Sequence, residues 1–329
     1  MKRCFMLVTA GLVLALALSS CARKAEEMTG AAAAKAGATA QAGAFTPLSF
    51  DNYGRIVTVR ARPERVLALG PNCAETLAAL GLADYIVGTS LRNHSRGPLP
   101  EYAEVFKKIP ELNHSSATRE AVISSGADFI YGIDWEFGSD GLDVDELAGY
   151  GITVYMDAAQ TLEQTYQEIS DMGAIFGVED RAAAFIADQK ARIAAVQQKI
   201  AGKAPVKVLV YDSGNDGVFT CSGANFETLL INDAGGKNVF DDLNEKAWIT
   251  VSYEEVLKRA PDFIIIHDYD SPSVEAKIAE IRANDTLSQL EAVKNSRFVI
   301  IELESVLPGD RLAYTIEKLA RGLHPDIAF

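Results

Sequence analysis

The sequence predicts an α/β protein of two similar lobes, each built on a largely parallel sheet, joined by one long α-helix, with a ligand cleft between the lobes. Three observations carry this. Seven short, unbroken apolar runs alternate with helical stretches, as strands buried on both faces do. The second half of the chain repeats motifs of the first in the same order. Between the halves lies a single amphipathic stretch long enough for a helix of roughly 33 Å. The 329 residues allow about two domains, each able to bury its own core. With 48% hydrophobic and 23% charged residues the chain has the composition of a globular protein, which excludes disorder, collagen and a polytopic membrane protein. Forty-five acids against 31 Lys and Arg leave a net charge of −14, which argues against a nucleic-acid partner.

The first elements concern export. Lys2 and Arg3 precede an uncharged apolar run at 5–18, and Leu18-Ser19-Ser20-Cys21 follows. This is a secretory signal, too short for a comfortable membrane span. Its ending looks like a bacterial lipoprotein box, which makes residues 1–20 the signal and Cys21 the lipidated first residue of the mature chain. Several acyl chains on one residue suffice for stable anchoring. Residues 21–44 are mostly Ala, Gly, Thr and Lys, a flexible tether with little to bury. Cys4 leaves with the signal, and Cys73 and Cys221, in different halves, are expected as two separate, partly buried thiols.

The first lobe spans 45–178. A hairpin is expected over 48–60, with Asp51-Asn52-Tyr53-Gly54 supplying the turn. Strands follow at 65–70 (RVLALG), 85–89 (YIVGT), 128–132 (DFIYG) and 152–156 (ITVYM). Over 179–203 the apolar residues Phe185, Ile186, Ile193, Val196 and Ile200 fall near one helical face, with Asp180 as the expected cap and Gly202 just past the end. Such a helix between lobes permits only small closure motions. The second lobe, 204–329, has strands at 207–212 (KVLVYD), 262–267 (DFIIIH) and 297–302 (RFVIIE). Residues 118–132 align without a gap with 252–266, matching Glu120/Glu254, Val122/Val256, Asp128/Asp262, Phe129/Phe263 and Ile130/Ile264. Upstream, Glu75-Thr76-Leu77 is echoed by Glu227-Thr228-Leu229.

A tethered protein of two α/β lobes joined by one helix resembles the class III substrate-binding lipoproteins of ABC importers, the group that handles ferric siderophores, cobalamin and haem. The resemblance covers about residues 46–327. It is carried by Pro63-Glu64-Arg65-Val66-Leu67-Ala68-Leu69, by Ala79-Leu80-Gly81-Leu82-Ala83-Asp84-Tyr85-Ile86-Val87-Gly88, and by the unit around Glu120 that ends in Ala127-Asp128-Phe129-Ile130. Ala234-Gly235-Gly236-Lys237-Asn238-Val239, Trp248-Ile249-Thr250-Val251-Ser252 and the ending from Val293-Lys294-Asn295 to Leu323-His324-Pro325 add to it. It implies an exported monomer, lipid-anchored and facing the periplasm or cell exterior. Its partners would be a permease dimer with a cytoplasmic ATPase and a small-molecule metal chelate. It also implies docking through Glu120 and Glu254, one acid per lobe. Matched acids suit a two-fold partner, although both also sit where a helix macrodipole favours any carboxylate.

Ligands of open α/β sheets bind beyond the carboxyl ends of the strands. The loops there supply Asn72, Arg92, His94, Trp135 and Phe137 in the first lobe. The second supplies Asn215, Phe219, Trp248, Tyr269 and Arg311. Aromatic faces with one or two arginines suit a large, partly apolar chelate with oxygen anions. Only Arg92, Arg96 and Arg311 are placed to balance anionic charge, so a ferric hydroxamate or mixed-donor siderophore, or a corrinoid, is easier to accommodate than a ferric catecholate. The bound ligand expected first is thus an iron–siderophore complex, with cobalamin or haem as the alternative, and no covalent cofactor besides the lipid. His94, His114 and His267, with Glu302, are weak candidates for a bare zinc or manganese site, without a recognisable ligand spacing. A ligand-sensing receptor shares every feature above. An enzyme on this scaffold is the rival of another class, but the chain has no G-x-S-x-G elbow, P-loop, His-Glu-x-x-His or G-x-G-x-x-G.

Overall fold

The computed structural model describes residues 45–214 and 216–329. The signal, Cys21, the tether and Asn215 lie outside the described residues. The described residues form one compact unit. No helix among the described residues is long and apolar enough to cross a membrane.

The chain opens on the antiparallel hairpin β1 (Leu48–Asn52) and β2 (Arg55–Val59). Its two turn residues, Tyr53 and Gly54, have φ of 56° and 81°, the left-handed geometry that matches strand twist, and the Gly54 amide donates to the Asp51 carboxylate at 2.9 Å. The first lobe continues with β3 (Val66–Leu69), α1 (Pro71–Ala79), β4 (Ile86–Thr89), α2 (Ala103–Phe106), α3 (Arg119–Ser124), β5 (Phe129–Ile133), α4 (Val144–Gly149), β6 (Thr153–Asp157) and α5 (Leu162–Phe176). Helix α6 (Glu179–Ile200) leads to the second lobe. That lobe comprises β7 (Val206–Tyr211), β8 (Ser213–Gly214), β9 (Val218–Cys221), α7 (Phe226–Asp233), β10 (Gly236–Asn238), β11 (Trp248–Val251) and α8 (Tyr253–Arg259). It ends with β12 (Phe263–Asp268), α9 (Val274–Ala283), α10 (Glu291–Lys294), β13 (Phe298–Glu302) and α11 (Leu312–Leu323).

Each lobe contains a four-stranded sheet, all parallel, in orders β4-β3-β5-β6 and β10-β7-β12-β13. The two orders are the same order, second–first–third–fourth, so the sequence echo is a duplicated topology. The aligned segments repeat down to single bonds. Thr118 and Ser252 cap α3 and α8 by accepting from the amides of Ala121 and Glu255. Asp128 accepts from the amides of Glu64 and Arg65, and Asp262 from that of Lys207, each pinning the first strand of its lobe to the third. The apolar runs are buried because helices cover both faces; all four residues of β3 are buried. The second lobe adds what the sequence reading did not contain, the short edge strand β10 and an antiparallel sheet of order β11-β9-β8.

Helix α6 belongs to both lobes. Phe185 packs on the first-lobe core, Ile193 and Val196 on the second, and Ile186 on both. Arg181 donates to the Leu80 carbonyl at 3.3 Å; toward α11, Gln189 accepts from the Ala313 amide at 2.8 Å and Arg192 makes two 2.9 Å bonds to Glu317. The expected cap is corrected. The helix starts after Val178 without a side-chain cap, and Asp180 lies inside the first turn, where it faces the positive end of the macrodipole. Cys73 and Cys221 are free thiols, both fully buried.

Candidate functional site

Both sheets switch direction of connection between their first and third strands, and the loops after those strands converge on the junction of the lobes. After β3 comes the start of α1 with Asn72; after β5, residues Asp134 to Phe137. The second lobe offers Asp212 after β7, and His267 with Tyr269 at the end of β12.

The floor of the junction is a polar clasp. Arg311 is 4% exposed and its guanidinium donates to Glu75 at 2.7 Å, to the Ser305 hydroxyl at 2.9 Å and to the Gly97 carbonyl at 2.8 Å. Glu304, 3.6 Å from the same guanidinium, accepts from the Ser95 hydroxyl at 2.9 Å and from the Arg96 amide at 2.8 Å. The other oxygen of Glu75 accepts from the Leu99 amide at 2.5 Å. Residues 95–97 of the first lobe are therefore held by Glu304 and Arg311 of the second, and Leu99 by Glu75, which Arg311 also grips. Burial raises the carboxyls of Glu75 and Glu304, and the charge of Arg311 pulls each back down. Asn72 donates to the Pro308 carbonyl at 2.7 Å, and Gly309, at φ +152°, lets the backbone lie against α1; a Cβ there would stand 3.1 Å from the Thr76 hydroxyl. About 30 Å³ of cavity remains beside Glu75, Ser90, Ser95 and Arg311.

Nearer the mouth, Arg96 pairs with Asp268 at 3.2 Å and His114 with Asp270 at 3.3 Å, both across the lobes. The first-lobe wall holds Trp135, 48% exposed, with the His94 ring 6.5 Å away. Burial lowers the His94 pKa, against an opposing pull from Asp212. The second-lobe wall is aromatic. Phe219 on β9 and Trp248 on β11, diagonal neighbours across the two strands, stack at 5.3 Å and 17°, and the Tyr269 hydroxyl donates to Asp212 at 3.1 Å.

Several expectations change here. Arg311 is not a free anion-binding arginine; its charge is spent on Glu75 and Glu304. Asn72 is buried, donating to Asp157 and Pro308. Phe137 packs beneath Gly132 in the first-lobe core, where a Cβ on Gly132 would come within 2.9 Å of its ring. His267 is fully buried with an acid on each ring nitrogen, so it has no lone pair to offer a metal. His94 and His114 stand apart from it, and among the described residues no group of three or more His, Cys, Asp or Glu could hold a metal ion. Arg92 is exposed, 4.0 Å from Glu111. Glu75, Glu304 and Asp212, which with Asp268 at the end of β12 set the charge of the junction, do not stand out in the sequence as site residues; the Glu75/Glu227 echo points to Glu75 alone. Glu120 and Glu254 are both exposed, each the second residue of its helix.

A family model described as periplasmic binding protein matches residues 66–303. The ABC transporter substrate-binding lipoprotein YvrC of Bacillus subtilis is 26% identical over 286 residues, 85% of this chain and 86% of that protein. The vitamin B12-binding protein of Photorhabdus laumondii is 27% identical over 207 residues, 63% of this chain and 71% of that protein. A crystal structure of a periplasmic binding protein from Veillonella parvula superposes with a TM-score of 0.76 at 26% identity, over 85% of this chain and 98% of the other. With that match over most of its length, its duplicated parallel sheets and its single connecting helix, this chain belongs to the periplasmic binding protein family.

Proposed function

We propose that this protein is the lipid-anchored substrate-binding component of an ABC importer. It captures a bulky metal chelate close to electrical neutrality between its lobes and delivers it to the permease. The observation that carries the charge class is the matching of the junction's cations. Arg311 is committed to Glu75 and Glu304, Arg96 to Asp268, and Arg92 faces Glu111, so the site offers aromatic surface and polar groups but no surplus positive charge. A polyanionic catecholate would meet no balancing cluster. A corrinoid or a ferric hydroxamate siderophore presents apolar faces and amides or carbonyls, which Trp135, Trp248, Phe219 and Tyr269 suit. Likeness to a vitamin B12-binding protein supports the corrinoid as the first ligand to test. Delivery would use Glu120 and Glu254 as paired rim charges, which set registry and encounter rate, and Cys21 would carry the lipid.

Calorimetric titration with cyanocobalamin, a ferric hydroxamate, a ferric catecholate, haemin and zinc ion tests this. Cyanocobalamin or the hydroxamate is expected to bind at least tenfold tighter than the catecholate, a difference of about 1.4 kcal/mol. Preference for the catecholate or for bare zinc, or no binding of any chelate, overturns the reading.

A further inference from the structure

His267 lies at the end of β12, where its neighbour Ile266 faces Tyr211, so that Asp212 stands beside it. Its Nδ1 is 3.0 Å from Asp212 Oδ1, and its Nε2 is 3.1 Å from both carboxylate oxygens of Glu227, which α7 brings in. An acid on each nitrogen requires both to donate, which only the imidazolium does. Glu227 and Asp212 outweigh the opposing cost of burial and lift the pKa to about 9.

The aromatic wall of the second lobe rests on this cluster through Trp248 and Tyr269. The Trp248 ring meets the His267 ring edge-to-face at 5.8 Å and 75°, and Phe219 stacks on Trp248. Tyr269 donates to Asp212, and Lys277, buried, donates to the His267 carbonyl at 2.7 Å with its ammonium 3.6 Å from the Tyr269 ring centroid. The duplication sharpens the point. In the first lobe the counterpart of Glu227 is Glu75, whose cation is an arginine from the other lobe; in the second lobe the cation is an in-lobe histidine, which titrates.

We propose that His267, as a buried imidazolium, is a positioning residue of the cleft, holding Trp248 directly and Tyr269 through Asp212 in the orientation that presents the aromatic wall to the ligand. This rests on the cleft being the ligand site. Loss of the proton turns one ring nitrogen into an acceptor aimed at a carboxylate, so one of the two bonds breaks and its acid turns away. The groups facing the cluster are Asp212 beyond β7, Glu227 on α7, Cys221 on β9, Lys277 on α9, Tyr269 beyond β12 and, from the first lobe, His94. Lys277, lowered by burial to about 8, also titrates in this range, and so the test needs a variant that isolates His267.

Trp135→Phe leaves Trp248 as the sole indole, and imidazolium against indole quenches emission. In the unliganded protein, emission is expected to rise with an inflection near pH 9 in Trp135→Phe, and the inflection is lost in Trp135→Phe/His267→Gln. Glu227→Gln, which removes one stabilising charge, is expected to move the inflection to lower pH; it serves if the His267 variant fails to fold. With Trp135 intact, the Kd for cyanocobalamin should weaken through the same pH range and His267→Gln should remove that dependence. No inflection, an inflection unchanged in both variants, or a Kd that stays flat while emission titrates overturns the proposal. Titrating emission with no chelate bound refutes the ligand reading, and with it the proposed role, while the His267–Trp248 contact itself stands.

Discussion

Replacement of Arg311 by alanine removes the cation of the inter-lobe clasp and leaves Glu75 and Glu304 buried, at 1% exposure each, without it. Breaking a buried pair from one side costs about 3–5 kcal/mol, because the remaining charge has lost both water and partner. For a protein of this size 1 kcal/mol corresponds to about 2–4 °C, so a melt followed by circular dichroism should show Tm lower by roughly 6–20 °C at pH 7.5. The loss has a pH signature. Both carboxyls already stand above their usual value, and Arg311 is the group pulling them down, so its removal lets them rise further. Acids raised in the folded state bind extra protons there, and stability grows as pH falls through their folded values toward the ordinary ~4.3. The deficit of Arg311→Ala should therefore shrink between pH 8 and pH 5. Adding Glu75→Gln, which removes one of the stranded charges, should restore part of the Tm at neutral pH. A Tm within about 2 °C of the parent at pH 7.5, or a deficit that widens on acidification, refutes the clasp as the link between the lobes.

Arginine at both Glu120 and Glu254 should abolish uptake in cells while leaving ligand affinity in calorimetry unchanged; undiminished transport would remove the docking role. Asp128→Ala loses two bonds to backbone amides and Asp262→Ala one; all three are solvent-exposed and worth about 0.5–1 kcal/mol each, so urea denaturation should show a loss of about 1–2 kcal/mol for the first and roughly half that for the second. A larger loss at Asp262 would contradict that ordering. His267, raised from 6.5 to about 9, contributes stability fully present below pH 6.5 and lost as pH rises through 9. At 1.36 kcal/mol per pH unit this is worth ~3 kcal/mol. Denaturation of His267→Gln should be flatter with pH over that interval, and a slope equal to the parent's would show that another group titrates.

Much of the architecture is legible in the residues alone. The runs at 65–70, 128–132, 207–212 and 262–267 become β3, β5, β7 and β12 because a strand covered on both faces needs apolar residues without alternation, and few other structures do. The echo between 118–132 and 252–266 reports a duplicated unit because caps, buried Val122 and Val256, and the Asp128 and Asp262 anchors all act within or next to the segment that contains them. Strands β8, β9 and β11 escape such reading. They are two to four residues long and lie outside the parallel sheet, where pairing partners rather than a local pattern define a strand.

For the site, sequence determines which side chains stand near the strand ends, since connectivity puts loops there. It does not determine which of them remain free. Arg311 and Asn72 read as cleft residues, yet each is taken up by groups remote in the chain, Glu75 at a separation of 236 residues and Pro308 likewise at 236. His267 reads as a loop-end histidine and becomes a buried cation because the neighbouring strand ends in Asp212 and α7 brings in Glu227. Charge type is a property of a residue, but surplus charge is a property of its neighbours, and neighbours are chosen only when the lobes pack.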